Sequence, residues 1–127
     1  MADMTDDPQT DDLPKLRLRV LFGDGRWMGP GKADLLDLIR ETGSISAAGR
    51  RMGMSYKRAW SLIEELNAMF TAPLVQSARG GARGGGAQLT ENGARVLAHY
   101  RAVERAAGEC GRAGLEALAA LRPDMSE

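Results

Sequence analysis

The sequence predicts a mainly α-helical fold with a small amount of β structure, an α+β arrangement in which helices lie between two short hairpins. Three observations predict it. Apolar residues alternate with a period of two over residues 15–22, and from residue 32 they recur at the three-and-four spacing of a helix. A glycine-rich run at 80–86 has short apolar segments on both sides, as a hairpin does. The chain has 127 residues, of which 43% are hydrophobic and 27% charged, so it is long enough for one modest core.

The first twelve residues differ in charge from the rest of the chain. They hold five acids and no base, whereas the remainder carries all 17 bases and the other 12 of the 17 acids, so that the formal net charge is zero. We expect residues 1–14 to be a disordered acidic tail in front of a mildly basic domain. No run is apolar enough to span a bilayer, and the acidic N-terminus does not resemble a signal peptide. We therefore expect a cytoplasmic protein.

The N-terminal elements follow from the change in apolar period. Residues 15–22 are predicted to form a half-buried strand, 23–25 a glycine turn, and 26–28 a short return strand. A helix is predicted from about Pro30 to Glu41. Gly43 follows it, and glycine at that position commonly ends a helix.

Residues 44–66 carry the pattern of two helices that meet at a steep angle across a short turn. Either Ser44 or Ser46 caps the first helix, and Ser55 caps the second, longer one. Gly53 accepts the positive φ that the turn requires. The first helix also offers the small residues that a close crossing requires, which are Ala47, Ala48 and Gly49. This combination predicts a helix-turn-helix.

The start of the second helix is the natural reading surface of such a motif, because its first residues meet base edges in the major groove. Arginine and lysine can donate to guanine O6 and N7, and a capping serine with the first amides can hold a phosphate. Tyr56 either touches the DNA or packs on the turn, and we expect Trp60 in the core or at its edge. The predicted DNA-binding residues outside the wing are Ser55, Tyr56, Lys57, Arg58, Ser61, Arg50 and Arg51, the last two facing backbone phosphates. The alternative is that these bases form only a solvated helix face.

The glycine-rich run predicts the tip of a second hairpin, with strands near 74–77 and 87–89. A hairpin after a reading helix is a wing, and we expect Arg79 and Arg83 to contact phosphates or to enter the minor groove. A nucleotide-binding loop is a rival interpretation, but the run lacks the Gly-Lys-Ser/Thr ending of a phosphate-binding loop. A tip that is merely disordered is the remaining alternative.

Thr90 is the predicted cap of a fourth helix, which is followed by a last short helical piece at 115–121. Three glycines weaken the helix near its end, Gly108, Gly111 and Gly114. The only histidine, His99, falls inside this helix, and the only cysteine, Cys110, has no partner for a disulfide. Because the sequence shows no acid/base pair and no metal-ligand spacing, we predict no enzyme, no metal and no cofactor. A DNA-binding regulator is favoured over a protein-binding module and over an enzyme.

Several motifs resemble those of a known family of bacterial regulators. They are GSIS at 43–46, GMSYKRAW at 53–60, PLV at 73–75, and a glycine-rich wing followed by LT-x-x-G at 89–93. Residues 16–105, which contain them in order, resemble the N-terminal domain of molybdate-responsive transcription regulators of the ModE type. The helix-turn-helix core is also similar to that of LysR-type regulators.

The resemblance implies a winged helix-turn-helix over 15–107, with an N-terminal β-ribbon and a long C-terminal helix, followed by a helical extension at 108–127. It implies a homodimer on pseudo-palindromic duplex DNA, because a two-fold dimer matches two half-sites. The dimer seam would then lie at Val96, Leu97, Tyr100 and Val103; alternatively, these residues only cover the core. Full-length regulators of this type carry a molybdate-binding region, for which this chain leaves no room. We therefore expect a stand-alone regulator that does not bind molybdate by itself.

Overall fold

The structure, a computed structural model, describes residues 14–78 and 86–123. Its elements are, in order, β1 (Val20–Phe22), β2 (Arg26–Met28), α1 (Pro30–Thr42), α2 (Ile45–Arg51), α3 (Tyr56–Met69), β3 (Val75–Ala78), β4 (Gly86–Leu89), α4 (Glu91–Cys110) and α5 (Arg112–Ala120). The predicted α+β class and the predicted order of strands and helices are confirmed. The predicted acidic tail, apart from Pro14, and the wing-tip residues Arg79 and Arg83 lie outside the described residues.

The chain divides into two compact units. Residues 18–102 form the first, and the described residues on either side, 14–17 and 103–123, belong to the second. The first unit contains both hairpins and the helices α1 to α3, together with the first half of α4. Among the described helices, none combines the length and the apolar character that crossing a membrane requires.

The N-terminal ribbon is shorter than the apolar alternation predicted. β1 pairs antiparallel with β2, with Val20 opposite Met28, and residues 15–19 are outside the strand. Because β2 has only three residues before the helix that begins at Pro30, the first strand finds no partner further towards its N-terminus. Leu18 nevertheless packs against the core, so part of the predicted apolar face is used.

Capping residues set the limits of the first three helices as predicted. Gly43 follows α1 in the left-handed region with a φ of 71°, which glycine adopts without steric cost. Of the two candidate caps for α2, it is Ser44 whose hydroxyl accepts from the amide of Ala47, at 3.0 Å. Ser55 caps α3 in the same way and accepts from the amide of Arg58 at 3.0 Å.

The core of the first unit is shared by the helices and the wing strands. Its largest fully buried side chains are Leu35, Leu36, Ile39, Ile63, Leu66, Leu74 and Leu97. β3 and β4 pair antiparallel with Val75 opposite Leu89. The amide of Ala87 in β4 donates to the carbonyl of Gly43 at 3.0 Å, so the wing is joined to the end of α1 by a main-chain hydrogen bond.

The helix α4 continues further than the three glycines suggested. It passes through Gly108 and ends at Cys110, and α5 begins at Arg112. A glycine costs a helix only about 1 kcal/mol relative to alanine. The neighbours of Gly108 are the good helix formers alanine and glutamate, at Ala107 and Glu109, so the helix absorbs this cost.

Candidate nucleic-acid interface

The crossing of α2 over the start of α3 depends on small residues and on a glycine turn. A Cβ atom on Gly49 would stand 3.0 Å from the Cβ of Ala59, which leaves no space for a larger side chain. The turn closes through the amide of Met54, which donates to the carbonyl of Gly49 at 3.0 Å. Gly53 has a φ of 73°, as predicted. The local chemistry of the turn therefore decides how α3 is presented.

One side of α3 is buried and the opposite side is exposed. Its inward residues are Ala59, Leu62, Ile63 and Leu66. Its outward residues at the N-terminal end are those predicted to read DNA, Tyr56, Lys57, Arg58 and Ser61, and all four are exposed. Lys57 and Arg58 are thus both exposed at the N-terminal end of α3, the end of a helix that carries a partial positive charge.

The first amides of α3 add donors to this surface. The first intrahelical hydrogen bond runs from the amide of Ala59 to the carbonyl of Ser55, at 3.0 Å, and the capping hydroxyl takes the amide of Arg58. The amides of Tyr56 and Lys57 precede these bonds, and such first-turn groups have no carbonyl partner within the helix. An anion such as a phosphate is the natural acceptor for them.

The two arginines before the turn, Arg50 and Arg51, are both exposed. Arg50 donates to the hydroxyl of Ser46 at 2.9 Å, and Arg51 lies 3.4 Å from the carboxylate of Glu41, in a pair whose side chains are 55% and 63% exposed. Exposed pairs of this kind contribute little free energy, about 0–1 kcal/mol, so a phosphate can compete for either guanidinium.

Trp60 lies further towards the surface than the sequence suggested. Its side chain is 37% exposed, and it faces Tyr56, whose side chain is 56% exposed. The two rings meet edge to face with centroids 6.3 Å apart, and the indole N–H donates to the phenol oxygen. Of the two expected places for Trp60, the core is therefore wrong and the edge of the core is left: four residues after Tyr56, the tryptophan lies beside it on α3.

An asparagine that the sequence analysis did not single out fixes the first strand of the wing. The side-chain oxygen of Asn67, in the last turn of α3, accepts from the amides of Leu74 and Val75 at 2.8 and 3.1 Å. Its amide group donates to the carbonyl of Val75 at 3.2 Å. Asn67 thus bonds the main chain of β3 as a neighbouring strand would, and it ties the direction of this strand to α3.

The start of α4 holds the same segment from the other side. The hydroxyl of Thr90 donates to the carbonyl of Pro73 at 2.6 Å and accepts from the amide of Gly93 at 2.9 Å. A Cβ atom on Gly93 would lie only 2.1 Å from the carbonyl oxygen of Leu74. In the LT-x-x-G motif, the threonine therefore bonds the start of α4 to the segment before β3, and the glycine leaves the space that this close approach requires.

A buried lysine, also missed from the sequence, ties the ribbon to the helices. Lys32 is 2% exposed, and its ammonium group donates to the main-chain carbonyl of Trp27 at 2.9 Å. The same nitrogen lies 3.7 Å from the centroid of the Trp27 side-chain ring. Its ammonium group is 3.6 Å from the carboxylate of Glu65 on α3. Arg19 lies 3.9 Å from the same ring of Trp27. Nothing in the local sequence around Lys32 signals burial, because its partners come from other elements.

Two of the four residues expected at a dimer seam belong to the core. Leu97 and Tyr100 are 2% and 4% exposed, and the phenol of Tyr100 donates to the carbonyl of Leu18 at 2.7 Å. Val96 is partly buried against the same core, whereas Val103 is 47% exposed. For Leu97 and Tyr100 the alternative interpretation, that they cover the core, describes the structure.

The part of the chain that the structure describes contains no group of three or more histidine, cysteine, aspartate or glutamate residues that could hold a metal ion. His99 is exposed on α4, and Cys110 is a free, exposed thiol.

A short helix crossing the start of a longer one, followed by a hairpin that is fixed to the longer helix, defines a winged helix-turn-helix domain of the kind that bacterial transcription regulators use. Residues 32–94 match the family of bacterial regulatory helix-turn-helix proteins of the lysR type. The resemblance drawn from the motifs is therefore confirmed.

Several curated proteins are similar to this chain. It is 47% identical to the molybdenum-pterin-binding protein MopB of Rhodobacter capsulatus over 85 residues, and these aligned residues cover 67% of this chain and 32% of that protein. It is 46% identical over 70 residues to the molybdenum transport protein ModE of Azotobacter vinelandii, covering 55% and 26%. It is 41% identical over 93 residues to the DNA-binding transcriptional dual regulator ModE of Escherichia coli K12, covering 72% and 34%. The chain thus spans between a quarter and about a third of the length of these relatives.

Proposed function

We propose that this chain is a sequence-specific transcription regulator that places the N-terminal end of α3 in the major groove of duplex DNA. The observation that carries the proposal is the joint exposure of Lys57, Arg58 and Ser61 on the outer side of a helix whose inner side is packed against α2 and the core. Docked in this way, α3 would present its side chains to base edges, and its free first-turn amides would meet the phosphates beside them.

The assignment of roles within this surface follows from geometry and charge. Arg58 lies in the first turn of α3 and carries a planar fork of donors, which suits the O6 and N7 acceptors of guanine. Lys57 is a point charge without such a fork, and we assign it to a phosphate. Arg50 and Arg51 on α2, and Arg79 and Arg83 in the wing, would add further phosphate contacts.

The Arg58→Ala substitution is expected to relax base preference and to weaken binding to a selected site by about 1–3 kcal/mol. The matched control is Lys57→Ala, which is expected to weaken binding to all duplexes similarly and to lower the salt slope by about one. Sites are first selected from a random duplex library, and affinities are then measured over a series of salt concentrations. An equal loss for Arg58→Ala on selected and random duplexes would contradict its base-reading role. A wild-type chain that binds no duplex even at low salt would overturn the proposed function.

We further infer a homodimer on a two-fold symmetric site. Exposed apolar side chains in this part of the chain support it: Val103 on α4, Leu118 on α5 and Leu121, the residue after α5, are 47%, 62% and 83% exposed. Molybdenum appears in the names of several relatives, yet this chain shares at most about a third of the length of those described above. We therefore treat a molybdate response as a separate property and expect the affinity of this chain for duplex DNA to stay unchanged when molybdate is added. We also propose that the protein acts in the cytoplasm, where such regulators meet DNA.

A further inference from the structure

The aromatic pair on the reading helix, Tyr56 and Trp60, has a defined arrangement. The rings are one helical turn apart, nearly perpendicular at 83°, and joined by the hydrogen bond from the indole N–H to the phenol oxygen. The contact and the hydrogen bond together restrict two large side chains on an exposed surface. An arrangement that is already ordered in the free protein costs little entropy when a ligand binds.

The direction of this hydrogen bond determines what the phenol can still do. An indole N–H is a donor and has no acceptor atom, so the phenol oxygen of Tyr56 accepts from Trp60. The phenol hydrogen cannot point back to the indole and is directed elsewhere. Since Tyr56 is 56% exposed, its hydroxyl offers a donor to a group outside the protein.

The surroundings of Tyr56 indicate the kind of acceptor. It is the first residue of α3, next to Lys57 and Arg58, and close to the two amides that precede the first intrahelical hydrogen bond. Every group named at this end of the helix is therefore a donor. Base edges in the major groove mix donors with acceptors, whereas a phosphate offers acceptors only.

We propose that Trp60 orients Tyr56 so that the phenol hydroxyl donates a hydrogen bond to a backbone phosphate of the duplex. Tyr56 is the contact residue, and Trp60 is a positioning residue that acts through it. The inference rests on the proposed function, because it assumes that α3 meets DNA. It adds a neutral contact that fixes the position of the helix without reading sequence.

The test compares Tyr56→Phe, which removes only the phenol hydroxyl, with Trp60→Phe, which removes the indole N–H and leaves a smaller aromatic ring, and with the double variant. Tyr56→Phe is expected to weaken binding about tenfold, equally on a selected site and on random duplex, as for one lost hydrogen bond to a charged acceptor. Trp60→Phe is expected to cost about threefold in the wild-type background and nothing further when Tyr56 is already phenylalanine. The salt slope is expected to stay unchanged in all three, in contrast to Lys57→Ala, because no charge is removed.

A second readout uses the free protein. The indole N–H resonance of Trp60 is expected to shift in Tyr56→Phe, because its acceptor is gone; an unchanged resonance would overturn the pair itself. A loss confined to the selected site would show a base contact and overturn the phosphate assignment. Equal losses for Trp60→Phe in both backgrounds would show that the tryptophan acts alone. If Tyr56→Phe binds duplex DNA as tightly as the wild type does, this inference alone is overturned. If the wild-type chain binds no duplex at all, the proposed function is overturned as well.

Discussion

Replacing Gly93 by alanine is expected to lower the free energy of unfolding by about 3 kcal/mol or more, because overpacking at this position has no flexible neighbour to absorb it. The new methyl carbon would lie 2.1 Å from the carbonyl oxygen of Leu74, which is main chain. Relief requires α4 to move away from the wing, and this would also break the hydrogen bond from the amide of Thr90 to that carbonyl, now 2.9 Å long. Thermal or urea unfolding measures the change.

Gly108→Ala is the matched control for this prediction. It lies in the same helix, and a Cβ atom there would meet nothing within 4 Å. The same substitution is therefore expected to stabilise α4 by about 0.5–1 kcal/mol, since alanine is the better helix former. Equal unfolding midpoints for Gly93→Ala and the wild type would mean that the close approach of α4 to Leu74 is not present in solution.

Replacing Asn67 by alanine is expected to cost about 3 kcal/mol, because buried main-chain groups that lose a partner retain most of their desolvation penalty. The substitution removes the acceptor for the amides of Leu74 and Val75 and the donor to the carbonyl of Val75. Leu74 and Val75 are 0% and 5% exposed, so water does not readily replace the lost partner. Unfolding in urea measures the stability.

Two further substitutions make the Asn67 prediction specific. Asn67→Asp keeps an acceptor for the two amides but loses the donor to Val75, so a smaller loss than that of alanine is expected. Asn92→Ala removes one asparagine bond to the same connection, a 3.2 Å contact with the carbonyl of Ala72, and about 1 kcal/mol is expected. If Asn67→Ala and Asn92→Ala cost the same, Asn67 has no special part in holding the wing.

Gly93 and Asn67 both hold the wing strands in place, and we propose that this wing contacts DNA. β3 follows α3 through the connection that Asn67 and Thr90 hold, so the direction in which β3 leaves α3 depends on these hydrogen bonds. In a partly destabilised variant that still folds, we expect duplex affinity to fall even though Lys57 and Arg58 are untouched. The wing contacts would then be lost before those of α3.

Much of the reading surface could be predicted from the sequence because its signals are local. A serine accepts an amide three residues later, a glycine adopts a positive φ, and apolar residues recur with the helical period. Gly53 and Ser55 therefore act in the structure as their neighbours in the chain predict, and one of the two serines predicted to cap α2, Ser44, does so. The limits of α1 to α3 followed from these residues to within a position or two.

Other features depend on partners that are remote in sequence. Trp60 has an apolar ring on a helix with a buried side, and no local rule decides whether it turns inward or joins Tyr56 outside. Leu97 and Tyr100 fit a dimer seam and a core equally well by spacing. The contact of Tyr100 with Leu18, 82 positions earlier, resolves the choice in favour of the core.

The sequence by itself therefore determined the order of the elements, the serine cap of α3, the turn before that helix and the basic character of its first turn, because each rests on interactions between residues a few positions apart. Only the tertiary structure decided that Lys32 is buried, that Asn67 holds the wing and that Gly93 admits α4 against Leu74. These features depend on contacts between elements that are remote in sequence. The free-energy cost of an unpaired polar group or of overlapping atoms is therefore set by the neighbouring element and not by the local sequence.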